Sequence, residues 1–322
     1  MWRRKDITIG FSVNPEISYE YAESSGEKGV LDSFTISLSG TSANVATALK
    51  SLGYNPLLVV PCEEGESDAG HLLEVALRQS RLTHARLPVL EQTPLAIYPI
   101  NGERQGCLLY GRKGHITNDP QKLTRAIEEI GSYNGHWRIA TGVDPGVASL
   151  AWHLLGGEKG FRVFSPNYAL CHNPDFGGLS FEKSPLFRCD LLIVNRFEFD
   201  TLGRLEEVIH GLGVSLVIVT DGERGGRFSL CNETTGGVVR SGTYQAVRSL
   251  ARAFSVGAGD WFLGGFVARV MEMEAEDEGV GVSFATLPFE AIQEACNFGA
   301  RVAGSKVAMR GGSNGPTRAD LA

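Results

Sequence analysis

The chain has 322 residues, 43% of them hydrophobic and 21% charged, with a formal net charge of −7, as expected for a large α/β core in one domain or two small ones. No Lys/Arg block follows the short Trp2-Arg3-Arg4-Lys5 stretch, so nucleic acid is not expected as a partner, although a local basic pocket for a phosphate is compatible with this balance. No apolar leader or membrane-length stretch occurs, and the six cysteines (Cys62, Cys107, Cys171, Cys189, Cys231, Cys296) form no C-x-x-C pair, which predicts a cytoplasmic, reduced protein without membrane attachment, thiolate metal site or disulfide framework.

Residues 7–13 read as a first strand that runs into Asn14-Pro15-Glu16. These three are either an ordinary turn or polar ligands where a strand leaves the sheet. Residues 17–21 and 34–38 are rich in β-formers and flank a turn-rich stretch, which predicts a hairpin outside the main sheet. Gly40-Thr41-Ser42-Ala43-Asn44 opens a helix with apolar positions Val45, Ala48, Leu49 and Leu52, ending at Gly53. A strand at 57–60 and an amphipathic helix at 69–82 follow. Residues 95–100 and 106–110 form a second predicted hairpin across Asn101-Gly102.

Apolar runs at 137–141, 161–165, 191–194 and 216–219, with helices between, predict a mostly parallel sheet covered on both faces. Asn195-Arg196-Phe197-Glu198 has the spacing of a helix capping box. Leu216 to Thr220 runs into a glycine turn at Gly222 and Gly225, and two short strands follow.

Next comes Ser255-Val256-Gly257-Ala258-Gly259-Asp260, directly before the apolar run 261–268. A glycine-rich turn that opens a buried helix gathers orphan N–H groups at the positive end of the helix dipole, and such a place binds anions. A carboxylate there is either an ordinary residue of the first helical turn or a general base beside a bound phosphate. The last predicted helix, 289–307, carries Ala295, Asn297, Ala300 and Ala303, small residues suited to packing against an adenine or against another helix.

The Gly257–Asp260 turn, extended by Phe262 and by Gly264 or Gly265, resembles the C-terminal signature D-T-x-G-A-G-D-x-F-x-x-G of the ribokinase (phosphofructokinase-B) family of carbohydrate kinases. Phe254 and Ser255 stand where that signature has its first Asp and its Thr. Gly40, Asn44, Ala46, Leu52 and Gly53 are similar to the family's N-terminal signature G-G-x-x-x-N-x-A-x-x-x-x-x-L-G, with Ser39 replacing the first glycine. Asn14-Pro15 resembles the sugar-phosphate branch, whose Asp falls on Ser18 here, whereas ribokinase-like spacing puts Glu16 in the Asp place. Thr41 occupies the position of the sugar-phosphate kinases' Lys. Asn167 is kept from a D-x-N-x-R pattern in which Ser165 and Ala169 replace the charged members.

The resemblance implies a ribokinase-like α/β fold over one domain spanning 1–322: a mostly parallel Rossmann-like sheet with helices on both faces, plus a small β-sheet lid from about 14–38 and 93–113. It implies ATP-dependent phosphorylation of a sugar or sugar-derivative hydroxyl, with Asp260 as base and Gly257, Ala258 and Gly259 as the anion hole. Asn195, Thr220, Gly222, Gly225 and Asn297 are the implied nucleotide contacts, and Glu198 is implied to place Mg²⁺ through water. Asn14, Glu16, Gly40, Asn44, Arg104 and Asn167 are the implied substrate contacts; Arg104 and Arg112 are equally readable as solvated hairpin charges. A monovalent cation is a further candidate cofactor, and a homodimer through the lid a candidate assembly. The departures at Phe254, Ser165, Ala169, Thr41 and Ser18 keep a second reading open: a catalytically weak member that binds nucleotide or sugar as a sensor. A non-kinase Rossmann enzyme is disfavoured because no G-x-G-x-x-G follows the first strand.

Overall fold

The computed structural model describes residues 7–21, 31–65, 67–99, 108–110, 116–133, 135–143, 147–156, 160–166, 188–203, 206–231, 238–247, 255–276, 283–309 and 314–321. Arg104, Arg112, Asn167, Ala169 and Phe254 lie outside the described residues.

Nine strands make the main sheet, in the order β13-β12-β11-β10-β9-β8-β1-β4-β5. Its parallel part comprises β1 (Ile7–Phe11), β4 (Leu57–Glu63), β5 (Thr83–Leu90), β8 (Trp137–Val143), β9 (Phe161–Pro166), β10 (Leu191–Asn195) and β11 (Leu216–Thr220). Two antiparallel strands, β12 (Gly226–Cys231) and β13 (Val238–Tyr244), close the far edge. Successive residues of the central strands serve opposite faces. Leu191, Ile193, Leu216 and Ile218 join one core, while Leu192, Val194, Val217 and Val219 join the other. That two-sided burial is why these strands read as unbroken apolar runs.

The second sheet has the order β3-β2-β6-β7, formed by β2 (Asn14–Tyr21), β3 (Leu31–Ser39), β6 (Leu95–Pro99) and β7 (Leu108–Tyr110). Two antiparallel hairpins are joined by a parallel β2–β6 pairing. The α/β class and the small accompanying sheet agree with expectation. One detail is corrected: Asn14-Pro15-Glu16 is neither a turn nor the end of the first strand but the start of β2, paired with Ser39, Leu38 and Ser37.

Four described helices contribute to the core on one face of the main sheet: α1 (Thr41–Ser51), α2 (Asp68–Ser80), α7 (Ala258–Glu276) and α8 (Phe289–Lys306). The other described helices are α3 (Pro120–Ser132), α4 (Ala148–Leu154), α5 (Arg196–Leu202) and α6 (Glu206–Gly211). Helix α7 lies between α1 and α8 and is apolar nearly all round, as a fully surrounded helix must be. Trp261, Phe262 and Phe266 are buried on it, each contributing about 1.5–3 kcal/mol by leaving water. Gly264 and Gly265 both have packing roles. A Cβ at Gly264 would sit 2.6 Å from Ala48 Cβ, and one at Gly265 would sit 2.8 Å from Val302 Cγ2. The two glycines let α7 approach a helix on either side, and the N-terminus of α7 is fixed accordingly.

Candidate active site

A cavity of about 130 Å³ opens at the carboxyl ends of the parallel strands. Thr141 and Gly142 of β8, Ser165 of β9, Asn195 of β10 and Thr220 of β11 form one wall, and Gly259 and Asp260 at the start of α7 form the other. Crevices at this end of a parallel sheet are where open α/β proteins bind ligands, because the strands stop there and the loops diverge. Gly142 has φ 63°, and a Cβ on it would meet Ser12 Cβ and Thr41 Oγ1, each at 2.6 Å. The Ser42 hydroxyl ties the strand ends together, accepting from Ser12 N–H at 2.9 Å and donating to the Thr141 carbonyl at 3.0 Å.

Asp260 sits in the first turn of α7, half-buried at the cavity wall. The turn before it uses the conformational freedom of Gly257, at φ 79°. The Ala258 N–H donates to the Ser255 carbonyl at 3.1 Å, and regular helix bonding begins with Trp261 N–H to the Gly257 carbonyl at 3.0 Å. Gly259 and Asp260 therefore carry first-turn N–H groups, for which a helix supplies no carbonyl of its own. A Cβ at Gly259 would meet nothing within 4 Å, so the cavity is open directly over this residue.

The Asn44 side-chain amide donates to Asp260 Oδ2 at 2.7 Å. Removal from bulk water pushes the Asp260 carboxyl up to about 7. The Asn44 hydrogen bond pulls it down, the Glu198 charge pushes it up, and the Lys306 charge pulls it down. A carboxyl so placed exchanges a proton at neutral pH, which an ordinary exposed aspartate does not.

Asn195 and Glu198 form a complete capping box at the start of α5. Glu198 N–H donates to Asn195 Oδ1, and Asn195 N–H donates to Glu198 Oε2, both at 2.9 Å. Both residues also line the cavity. Burial raises the Glu198 carboxyl above the usual carboxylate range, while the backbone and side chain of Asn195 hold it back. Glu198 and Asp260 thus face one small cavity as coupled negative charges, a donor set that suits a hydrated Mg²⁺. Among the described residues no cluster of three metal-ligating side chains occurs.

The remaining expected residues are more scattered. Gly222 (φ 56°) and Gly225 (φ 87°) shape a tight turn after Thr220, where Asp221 N–H donates to the Gly225 carbonyl at 2.7 Å. Asn297 is exposed on α8 and belongs to a different face from Ala295 and Ala300, which are buried in the helix-packed core. Gly40, at φ 99°, caps α1 and abuts the Ser12 carbonyl too closely to admit a side chain. Asn14 is near it, its amide donating to the Pro15 carbonyl at 3.2 Å. Asn14, Glu16, Gly40, Gly222, Gly225 and Asn297 are not among the residues lining the described cavity. Glu16 is buried and hydrogen-bonds Ser39.

Two residues that the motifs did not single out belong to this neighbourhood. Thr141 is buried against the cavity with its Oγ1 unpartnered among the described residues. Lys306, in the last turn of α8, is fully buried and acts electrostatically on Asp260. Its signal was present in the sequence: it continues the buried stripe Ala295, Gly299, Val302 at helical spacing.

Solved structures of the same shape cover nearly the whole chain. Ribokinase from Giardia lamblia aligns over 99% of this chain and 98% of its own, at 19% identity and TM-score 0.71. The nucleoside kinase of Methanocaldococcus jannaschii aligns over 98% and 96%, at 16% identity and TM-score 0.68. Phosphofructokinase-2 from Escherichia coli, solved in complex with potassium, aligns over 98% and 96%, at 14% identity and TM-score 0.69. No curated protein sequence matches this one. The profile described as pfkB family carbohydrate kinase matches residues 8–319. With that match over nearly the whole length, on a ribokinase-like fold, the chain belongs to the pfkB family of carbohydrate kinases and is a phosphotransferase.

Proposed function

We propose that this kinase transfers the γ-phosphate of ATP to a hydroxyl of a sugar or sugar derivative, with Asp260 as general base. The observation that carries the reading is the placement of Asp260: it opens a buried helix, faces the cavity at the strand ends, and has its proton affinity raised to about 7. A base poised near the working pH combines a usable ionised fraction with enough basicity to take a hydroxyl proton. Asn44 fixes its orientation through Oδ2, leaving the other carboxylate oxygen for the acceptor.

The turn at Gly257, Ala258 and Gly259 serves as the anion hole. Its first-turn amides, with the helix dipole behind them, face the charge that develops on the transferring phosphoryl group, an effect of about 3–4 kcal/mol for one oxyanion donor elsewhere. Because the Ala258 N–H is engaged by Ser255, the Gly259 and Asp260 amides are the better-placed donors in this conformation. Asn195 and Thr220 line the nucleotide side, and the Gly222–Gly225 turn beyond them continues that surface, with Asn297 on the neighbouring helix. Asn14, Glu16 and Gly40 would meet the acceptor from the small sheet, together with Asn44. Glu198 would hold Mg²⁺ through water; when bound, the ion neutralises charge on the phosphate oxygens. Potassium in the E. coli phosphofructokinase-2 structure makes a monovalent cation a candidate activator here as well.

The test is ADP release from Mg-ATP across sugars, sugar phosphates, sugar acids and nucleosides, with and without potassium, against Asp260→Asn. Acceptor-dependent turnover that the substitution abolishes supports the reading. Turnover that survives it removes Asp260 from the role of base. Tight nucleotide binding without turnover on any acceptor would favour a sensor.

A further inference from the structure

We infer, on the sugar-kinase reading above, that the Thr141 hydroxyl at the end of β8 binds a second hydroxyl of the acceptor, apart from the one that is phosphorylated. Thr141 is thereby a specificity-determining residue, and the acceptor it selects carries at least two hydroxyls.

Strand β8 turns alternate residues to opposite faces of the main sheet. Trp137 and Ile139 face the core shared with α1, α7 and α8, and they pair with Phe161 and Val163 of β9. Thr141 continues that series and pairs with Ser165, so the apolar rows of this face end in two hydroxyl-bearing residues. They end where α7 begins: Thr141, Ser165, Gly259 and Asp260 line one cavity. A buried hydroxyl ordinarily finds a partner within the fold, because leaving the bond unmade costs stability. Thr141 is 0% exposed, and its Oγ1 has no partner among the described residues. Its main chain, by contrast, is tied down, the carbonyl accepting from Ser42 Oγ at 3.0 Å. The hydroxyl is therefore held in position and left for what enters the cavity. Asn44 Oδ1, on the side chain that bonds Asp260, is likewise unpartnered among the described residues. Two of the three such atoms thus belong to residues that line this cavity or bond its carboxylate, which fits a site that receives a polar ligand.

The place of Thr141 in the sheet favours the acceptor over the nucleotide. Strand β8 adjoins β1, and β1 leads into β2 of the small sheet. Ser42 Oγ links the Thr141 carbonyl to Ser12 N–H, and Thr41 packs against Gly142 from the start of α1. Asn195 and Thr220, on the proposed nucleotide side, lie two and three strands away, about 10 and 14 Å at the usual strand spacing. Asp260 takes the proton of the reacting hydroxyl, so Thr141 is left for a different one. A threonine hydroxyl both donates and accepts, as a neutral sugar hydroxyl does in return. A buried site that pairs with a substrate hydroxyl discriminates strongly against an analogue without it.

The experiment measures kcat and KM in wild type, Thr141→Val and Thr141→Ser. The substrates are the best acceptor of the panel above and its deoxy analogues, each lacking one hydroxyl other than the reacting one. Val keeps the outline of the side chain and removes the hydroxyl, whereas Ser keeps the hydroxyl. Thr141→Val is expected to lose about tenfold in kcat/KM on the full acceptor, with Thr141→Ser close to wild type. One deoxy analogue is expected to lose about tenfold in wild type and nothing further in Thr141→Val. Equal kcat/KM in Thr141→Val and wild type, as a hydroxyl satisfied by a resident water would give, overturns the inference. So does a loss in Thr141→Val that is the same on every deoxy analogue, or one matched in acceptor-free ATP hydrolysis, which would put the hydroxyl on the phosphoryl group. Should Thr141→Val fail to fold, Thr141→Ala takes its place in the same comparison. Failure of both to fold makes the hydroxyl part of the fold and overturns the inference. A wild type without acceptor-dependent turnover removes the sugar-kinase reading and this role with it. Wild-type turnover without coupling between Thr141 and any acceptor hydroxyl removes only the role of Thr141.

Discussion

Asn44 and Asp260 lie 216 residues apart in the chain, and the side-chain amide of one donates to Oδ2 of the other at 2.7 Å. This bond joins α1 to α7 where Gly264 already brings the two helices together against Ala48. Asn44 Oδ1 has no partner among the described residues, so among them Asp260 supplies the hydrogen bond that orients the amide. Hydrogen bonds to a charged group are worth about 1.5–3 kcal/mol. Asn44→Leu is therefore expected to lower kcat/KM at pH 7 by about 10- to 100-fold, and the deficit should shrink as pH rises. A pH-independent deficit would mean that Asn44 acts on the acceptor and not on the base.

Asp260 also links pH to stability. Burial raises its carboxyl from an ordinary value of 3.8 to about 7, so the folded protein binds this proton more tightly than the unfolded chain. The corresponding stabilisation is complete below the unfolded value and disappears as pH climbs through about 7. Asp260→Asn, neutral throughout, should melt at a higher temperature than wild type at pH 8 and by a clearly smaller margin at pH 5, since the wild-type stabilisation is lost progressively from the unfolded value upward. Thermal unfolding without ligands at the two pH values checks this. An equal shift at both would place the effect outside ionisation.

The sheet and its helices were legible because their physics is local. Apolar runs with glycine punctuation mark β8 to β11, and the turn before Trp261 marks the start of α7. Strand β5 was not recognised, since His84, Arg86 and Pro88 break its pattern. It is an edge strand, where one side of the ladder is unpaired and a proline is tolerated. Helix α3 was also passed over, although Asp119 caps it and Pro120 opens it. Of the site, Asp260, Gly259, Asn195, Glu198 and Thr220 were named in advance and line one cavity. Thr141 and Lys306 were not, because their importance lies in contacts across the fold. A threonine in a strand is unremarkable, and a lysine that continues a buried helical stripe shows only its burial, until the elements beside them are known.

Gly259 offers a test that separates folding from binding. An added Cβ meets nothing within 4 Å, and the residue is already in helical register at the start of α7. Gly259→Ala should fold as wild type does and melt at or slightly above its temperature, since alanine favours a helix by about 1 kcal/mol over glycine. In the proposed site the methyl group would stand where the transferring phosphoryl group approaches. A loss of kcat of about 10²–10³-fold is expected, the effect of weakening one oxyanion donor elsewhere. Full activity would move the anion hole away from this turn.

Glu198 has two assignments, helix cap and metal partner, and one substitution distinguishes them. Glutamine also completes a capping box, so Glu198→Gln should preserve α5, with an oxygen still accepting from Asn195 N–H. The substitution removes one of the two negative charges facing the cavity. If Glu198 holds Mg²⁺ through water, the concentration of Mg²⁺ needed for half-maximal rate should rise by about 10- to 100-fold, the cost of losing an outer-shell metal partner elsewhere. Its charge also pushes the Asp260 carboxyl up, so the acid limb of the rate profile should move to lower pH at saturating Mg²⁺. The two effects have opposite consequences for activity and are separated by titrating metal at fixed pH and pH at fixed metal. An unchanged Mg²⁺ requirement with a shifted limb would leave Glu198 as a cap and a charge beside the base.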